Sequence, residues 1–111
     1  MTQLEILKAA KARIADKKHW CQRTLARTAR GRGVHPCDPE AVSWCAVGAI
    51  YSVDGGNVLI GLLAEASKSI FGLPVAKVNN DTDKEYAHAC IMDIYDHAIG
   101  QAQYYGNDPA S

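Results

Sequence analysis

A chain of 111 residues has room for one domain, and its core is large enough to fold without obligatory disulfides or metal. With 48% hydrophobic and 22% charged residues, the composition is that of a globular protein and excludes a disordered one. The formal net charge of zero hides a split: residues 1–37 carry nine Lys/Arg against Glu5 and Asp16, a balance of +7, and residues 38–111 carry three Lys against ten Asp/Glu, a balance of −7.

Two readings of that split stand open. The halves lie against each other and neutralise, or the basic part attracts phosphate groups. No stretch approaches the roughly 20 apolar residues of a membrane span, and charges stand in the opening MTQLEILKAAK where a signal peptide carries its apolar region. The expectation is a cytoplasmic protein that makes no membrane contact. Cys21, Cys37, Cys45 and Cys90 are therefore read as thiols of a reducing compartment.

Thr2-Gln3-Leu4-Glu5 has the form of a capping box, and Leu4, Leu7, Ala10 and Ile14 recur on one helical face, which predicts a first helix over about 3–17. Its lysines and Arg13 flank the apolar face without forming one basic stripe. From Trp20 to Pro36 the periodicity is lost, and Arg27, Arg30 and Arg32 interleave with Gly31 and Gly33 in a loop that suits a short β-hairpin within 20–36.

Asp38-Pro39-Glu40 reads as an N-cap, a first-turn proline and a first-turn acid, and the uncharged run Ala41-Val-Ser-Trp-Cys-Ala-Val-Gly-Ala-Ile-Tyr51 follows. This predicts a helix apolar around its circumference, hence central in the core, with Gly48 letting another backbone come close. A buried strand is the rival for the same residues. Asp54-Gly55-Gly56-Asn57 marks a turn and a fresh cap. The face Leu59, Leu62, Leu63, Ala66 and Ile70 predicts a third helix ending at Gly72, with 73–78 a connector or short strand. Thr82-Asp83-Lys84-Glu85 repeats the capping-box form, and Ala87, Ile91, Ile94, Tyr95, Ala98 and Ala102 predict a fourth helix to about Gln103. The fold class expected is all-α: a compact four-helix domain over 1–105 around a central apolar helix, with 106–111 a frayed tail.

Trp20, Ala26-Arg27, Gly31, Asp38-Pro39, Ala41, Trp44-Cys45-Ala46, Gly48-Ala49 and Asn80-Asp81 resemble a family of small uncharacterised bacterial and phage proteins, a domain of unknown function. Its most specific element is D-P-x-A-x-x-W-C-A-x-G-A. The resemblance implies one intact domain over most of the chain and no particular activity, catalytic residue or cofactor. Cys21 and Cys37 lie outside the pattern.

Four constellations could carry chemistry. His19-Trp-Cys21 and His35-Pro-Cys37 are two H-x-C pairs whose alternate residues would share a face on extended chain and offer zinc four ligands, although the spacing is that of no standard finger. Cys45 with His88 would make a small cysteine hydrolase, opposed by the position of Cys45 nearly two turns inside an apolar helix, while His97 projects away from His88. Arg23, Arg27, Arg30 and Arg32 near the N-terminus of the helix expected at Pro39 would hold a phosphate, opposed by Asp38 and Glu40 at that same terminus. Asp81, Asp83, Glu85, Asp93 and Asp96 invite a hard cation but lack a calcium-loop pattern and read as a helix start and a solvated face. The function expected is a non-catalytic binding or regulatory module that recognises a protein partner or a phosphate-bearing ligand, without metal or cofactor. The hydrolase is its rival.

Overall fold

The computed structural model describes residues 2–54 and 57–106. Helix α1 spans Gln3–Ile14, and its capping box closes in both directions: the Glu5 N–H donates to Thr2 Oγ1 at 3.1 Å and the Thr2 N–H to Glu5 Oε1 at 2.8 Å. Two orphan donors of the first turn are thereby satisfied. That hydrogen bonding also holds the Glu5 carboxyl below its usual range. Leu7, Ala10 and Ile14 are fully buried, as their spacing requires. The helix stops at Ile14 rather than 17 because Asp16 caps a separate 3₁₀ turn, Lys17–His19.

The all-α expectation is wrong. The protein is mixed α/β, with strands β1 (Ala26–Thr28), β2 (Gly33–Val34) and β3 (Ala41–Trp44) in an antiparallel sheet of order β2-β1-β3. The β1–β2 hairpin falls inside the loop where glycines and arginines alternate. Its turn runs through Gly31, whose φ of +83° lies in the left-handed region that glycine adopts without strain. On the other side, Arg27 pairs with Ser43 and Thr28 with Ala41, so that Val42 is the extra residue of a bulge. A single parallel bridge joins Trp20 to Trp44 beyond the sheet.

No helix starts at Pro39. Asp38-Pro39-Glu40-Ala41 is a turn in which the Ala41 N–H donates to the Asp38 carbonyl at 3.0 Å and the Glu40 N–H to Asp38 Oδ1 at 2.8 Å. Proline second in a turn has the same backbone angle as proline first in a helix, so the residues serve either role. The following apolar run divides into strand β3 and helix α2 (Ala46–Val53), with Cys45 as the N-cap between them. Nor is α2 buried all round. Ala46, Gly48, Ala49 and Ile50 face the core, and Val47, Tyr51, Ser52 and Val53 are half-buried.

Helix α3 (Asn57–Phe71) ends at Gly72, whose φ of +70° suits a glycine cap. The turn expected at Gly55-Gly56 lies outside the described residues. Residues 73–78, expected as connector or strand, instead contribute most of a short helix, α4 (Val75–Asn79), entered through Pro74. The buried Ser67 hydroxyl donates to the Leu73 carbonyl and holds that entry. Helix α5 (Lys84–Gln101) is capped by Asp83, which accepts from the Tyr86 N–H at 3.0 Å, so Thr82 stands outside the helix. A π-helical turn continues over Ala102–Gly106, and the tail from Asn107 lies outside the described residues. Described residues thus hold five α-helices where four were expected. One apolar cluster joins Leu7 and Ile14 of α1, Ile50 of α2, Leu63 of α3, Val75 and Val78 of α4, and Ile91, Ile94 and Tyr95 of α5. None of the described helices is long and apolar enough to cross a membrane.

Candidate functional site

Asn79 is the buried polar centre from which the site is built. Its Oδ1 accepts from Trp20 Nε1 at 2.9 Å and from the Ala46 N–H at 3.0 Å, and its Nδ2 donates to the Cys21 carbonyl and to Asn80 Oδ1, both at 3.1 Å. An amide offers two lone pairs and two protons, and here all four are used. The Ala46 carbonyl accepts from the buried Tyr95 hydroxyl at 2.6 Å, so α2 is tied at its first residue from two sides. Burial pushes the Tyr95 phenol well above its ordinary value.

This junction positions the chain that leads into the sheet. Gln22 Nε2 donates to the Asn79 and Asp81 carbonyls, and the Arg23 N–H donates to Asn80 Oδ1 at 2.8 Å. Arg23 is held at φ +71°, the one non-glycine in the left-handed region among the described residues. A β-carbon is disfavoured there. The Leu25 carbonyl accepts from the Cys45 N–H at 3.1 Å and lies over the first turn of α2, where a β-carbon on Gly48 would stand 1.9 Å from it. The close backbone approach expected at Gly48 is therefore present, and the approaching carbonyl is that of Leu25.

Beside the junction opens a cleft of about 850 Å³. Lys17 and Lys18 of the 3₁₀ turn, Arg23, Arg27 of β1 and Lys84 of α5 line it, with Glu85 the one carboxylate in its wall among the described residues. Glu85 pairs with Lys17, and Lys18 pairs with Asp16. The Arg27 guanidinium is fixed differently: Nη1 donates to the Gly31 carbonyl at 2.8 Å and Nη2 to the Gln22 carbonyl at 2.9 Å. Neutral carbonyls orient it and leave its charge uncompensated. The bulged Val42 lines the same cleft.

Of the four arginines singled out in the sequence, only Arg23 and Arg27 come together here. Arg30 and Arg32 line a second cleft on the hairpin with Asp38 and Glu40. The helix N-terminus invoked for all four is absent. Lys17, Lys18 and Lys84 were missed because the first two read as flanks of α1 and the third as an ordinary first-turn residue. The charge split is only partly neutralised: among the described residues, Lys11 with Asp96 and Lys17 with Glu85 are the ion pairs that join the two parts of the chain.

The H-x-C residues make separate local bonds. His19 Nδ1 meets the Val42 carbonyl, Cys21 Sγ the Thr24 carbonyl, His35 Nδ1 the Cys37 N–H, and Cys37 Sγ the Tyr51 carbonyl. Among the described residues, no three His, Cys, Asp or Glu side chains gather as metal ligands, the carboxylates near α5 included.

Cys45 is not inside a helix, as the sequence suggested, but at its N-terminus, where Sγ accepts from the Gly48 N–H at 3.3 Å. Helix N–H groups lower a thiol's pKa, yet burial outweighs them and pushes Cys45 up. Cys21 is pushed up by burial too, partly offset by Ser43 and Arg27. His88 is buried against Trp20, ring centroids 5.3 Å apart, with Nε2 at 2.8 Å from the Ile14 carbonyl. Cys45 lines a small cleft in which no described histidine takes part.

Fold and cleft together define a small mixed α/β protein with a basic recess, its charge only partly compensated, beside a buried hydrogen-bonded junction. The chain belongs to the family of unknown function DUF6197, whose model matches residues 1–105. No curated protein and no solved structure matches it.

Proposed function

We propose that this protein is a non-catalytic binding module that takes a phosphate-bearing ligand in the cleft of Lys17, Lys18, Arg23, Arg27 and Lys84. The observation that carries the reading is the gathering of five cations around one carboxylate in a single recess. The Arg27 guanidinium is already oriented by two carbonyls, so a phosphate meets a charge that loses little freedom on binding. A dianionic phosphate also competes for Lys17 against a single exposed Glu85 carboxylate, and exposed pairs of that kind are weak. The reading is non-catalytic because Cys45, its thiol pushed up, shares its cleft with no histidine base. The setting in this reading is the cytoplasm of a bacterium or a phage-infected cell, in keeping with the family resemblance and four free thiols.

Calorimetric titration of the full chain with inorganic triphosphate at low salt tests it. Binding is expected, with log K falling linearly as log salt rises, and the double variant Arg23→Ala, Arg27→Ala weakens it by about tenfold or more. Absence of heat at millimolar triphosphate overturns the phosphate reading and leaves a protein partner.

A further inference from the structure

Arg23 lines two clefts at once. On one side is the basic recess. On the other is a cleft of about 300 Å³ walled by Leu25, Val47, Val75, Ala76 and Cys45, in which Arg23 is the only charged residue among the described ones. Thr24, Asn79 and Asn80 are its uncharged polar lining, and Asn79, with all four of its hydrogen-bonding positions taken inside the protein, presents no free polar group to an occupant. An apolar slot therefore adjoins a phosphate-binding recess across a single cationic side chain. That side chain stands on a strained backbone, φ +71°, which Asn80 pins by accepting the Arg23 N–H. Strain of this kind persists where the surroundings over-determine it, and it collects at ligand sites.

We propose that the ligand is a soluble phosphate monoester bearing a short unbranched apolar arm, with the phosphate against Arg23 and Arg27 and the arm in the slot beside Cys45. The inference rests on the phosphate reading of the basic recess and deepens it by naming the ester group. Charge complementarity fixes the phosphate end, and the apolar walls fix the other. A slot at the low end of ligand-site volumes takes an arm of roughly four to eight carbons.

The test is a calorimetric series on the full chain at constant low salt: inorganic phosphate, then methyl, butyl, hexyl and dodecyl phosphate below their micellar concentrations. Affinity is expected to climb by up to about fourfold per buried methylene and to level off once the slot is full. Ala76→Phe, placed on the exposed face of α4, fills the slot. In that variant inorganic phosphate binds as in the wild type and the gain with chain length disappears. Equal affinity for inorganic and hexyl phosphate overturns the arm while leaving the phosphate reading standing. A chain-length gain that survives Ala76→Phe also overturns it, because the arm then lies elsewhere. Binding to phosphatidic-acid vesicles without any gain among the soluble esters overturns it in favour of a membrane surface. No binding by any member of the series overturns both readings together.

Discussion

The chain on either side of Arg23 is built on opposite terms. Behind it, the junction of Trp20, Cys21, Ala46 and Asn79 is buried, and the Asn79 amide has a partner at every position. Ahead of it, the tip of the β1–β2 hairpin is open to solvent, with Arg30, Gly31 and Arg32 all exposed. It is held by a few backbone bonds, such as the Thr28 N–H to the Arg32 carbonyl at 2.8 Å. An unmade hydrogen bond is costly in the first setting and cheap in the second. Fold stability is thus concentrated on the junction side, and cations without carboxylate partners are left on the other, where a ligand can reach them.

The contrast is broken most severely by adding one carbon at Gly48. Alanine is the better helix former by about 1 kcal/mol, so Gly48→Ala would stabilise α2 if nothing approached it. With the Leu25 carbonyl 1.9 Å from the added β-carbon, the backbone of one element must move. The expected cost is about 3 kcal/mol or more, read as a lowered midpoint in chemical denaturation. A midpoint equal to or above wild type would remove the close approach from the account.

Asn79→Ala sharpens the same contrast from the polar side. It leaves Trp20 Nε1, the Ala46 N–H and the Cys21 carbonyl without their partner in a buried place. At about 1–3 kcal/mol for each unsatisfied group, and less than additively, the loss is about 3 kcal/mol. A loss below about 1 kcal/mol would mean that water or a rearranged neighbour replaces the amide, and that the junction is not what orders Arg23.

How much of this was legible in the sequence depends on whether a signal was local. Helices α1, α3 and α5 declare themselves by apolar spacing, and Thr2 to Glu5 encodes its own cap within four residues. The run 41–51 carries no polar contrast, so periodicity cannot separate strand from helix, and Asp38-Pro39 serves a turn as readily as a helix start. What divides that run is tertiary: the N–H of Ala46 is satisfied by Asn79, 33 residues away in sequence, and the N–H of Cys45 by Leu25. The candidate site follows the same rule. Arg23 and Arg27 stood out because they are arginines in a broken pattern, whereas Lys17, Lys18 and Lys84 reach the cleft only through folding. Nothing local marked Asn79 as the residue on which the junction turns.

Arg23→Gly tests the division between stability and binding most directly. Glycine adopts φ +71° without the cost that a β-carbon imposes there, and Arg23 is exposed, so no core packing is lost. Relief of roughly 1–2 kcal/mol of left-handed strain is partly offset by the larger unfolded-state entropy of glycine. Denaturation and triphosphate titration on the same preparation are predicted to show a fold unchanged or up to about 1 kcal/mol more stable and an affinity reduced by about tenfold. A destabilised protein whose triphosphate affinity matches the wild type would contradict the account, because Arg23 would then serve the fold and not the ligand.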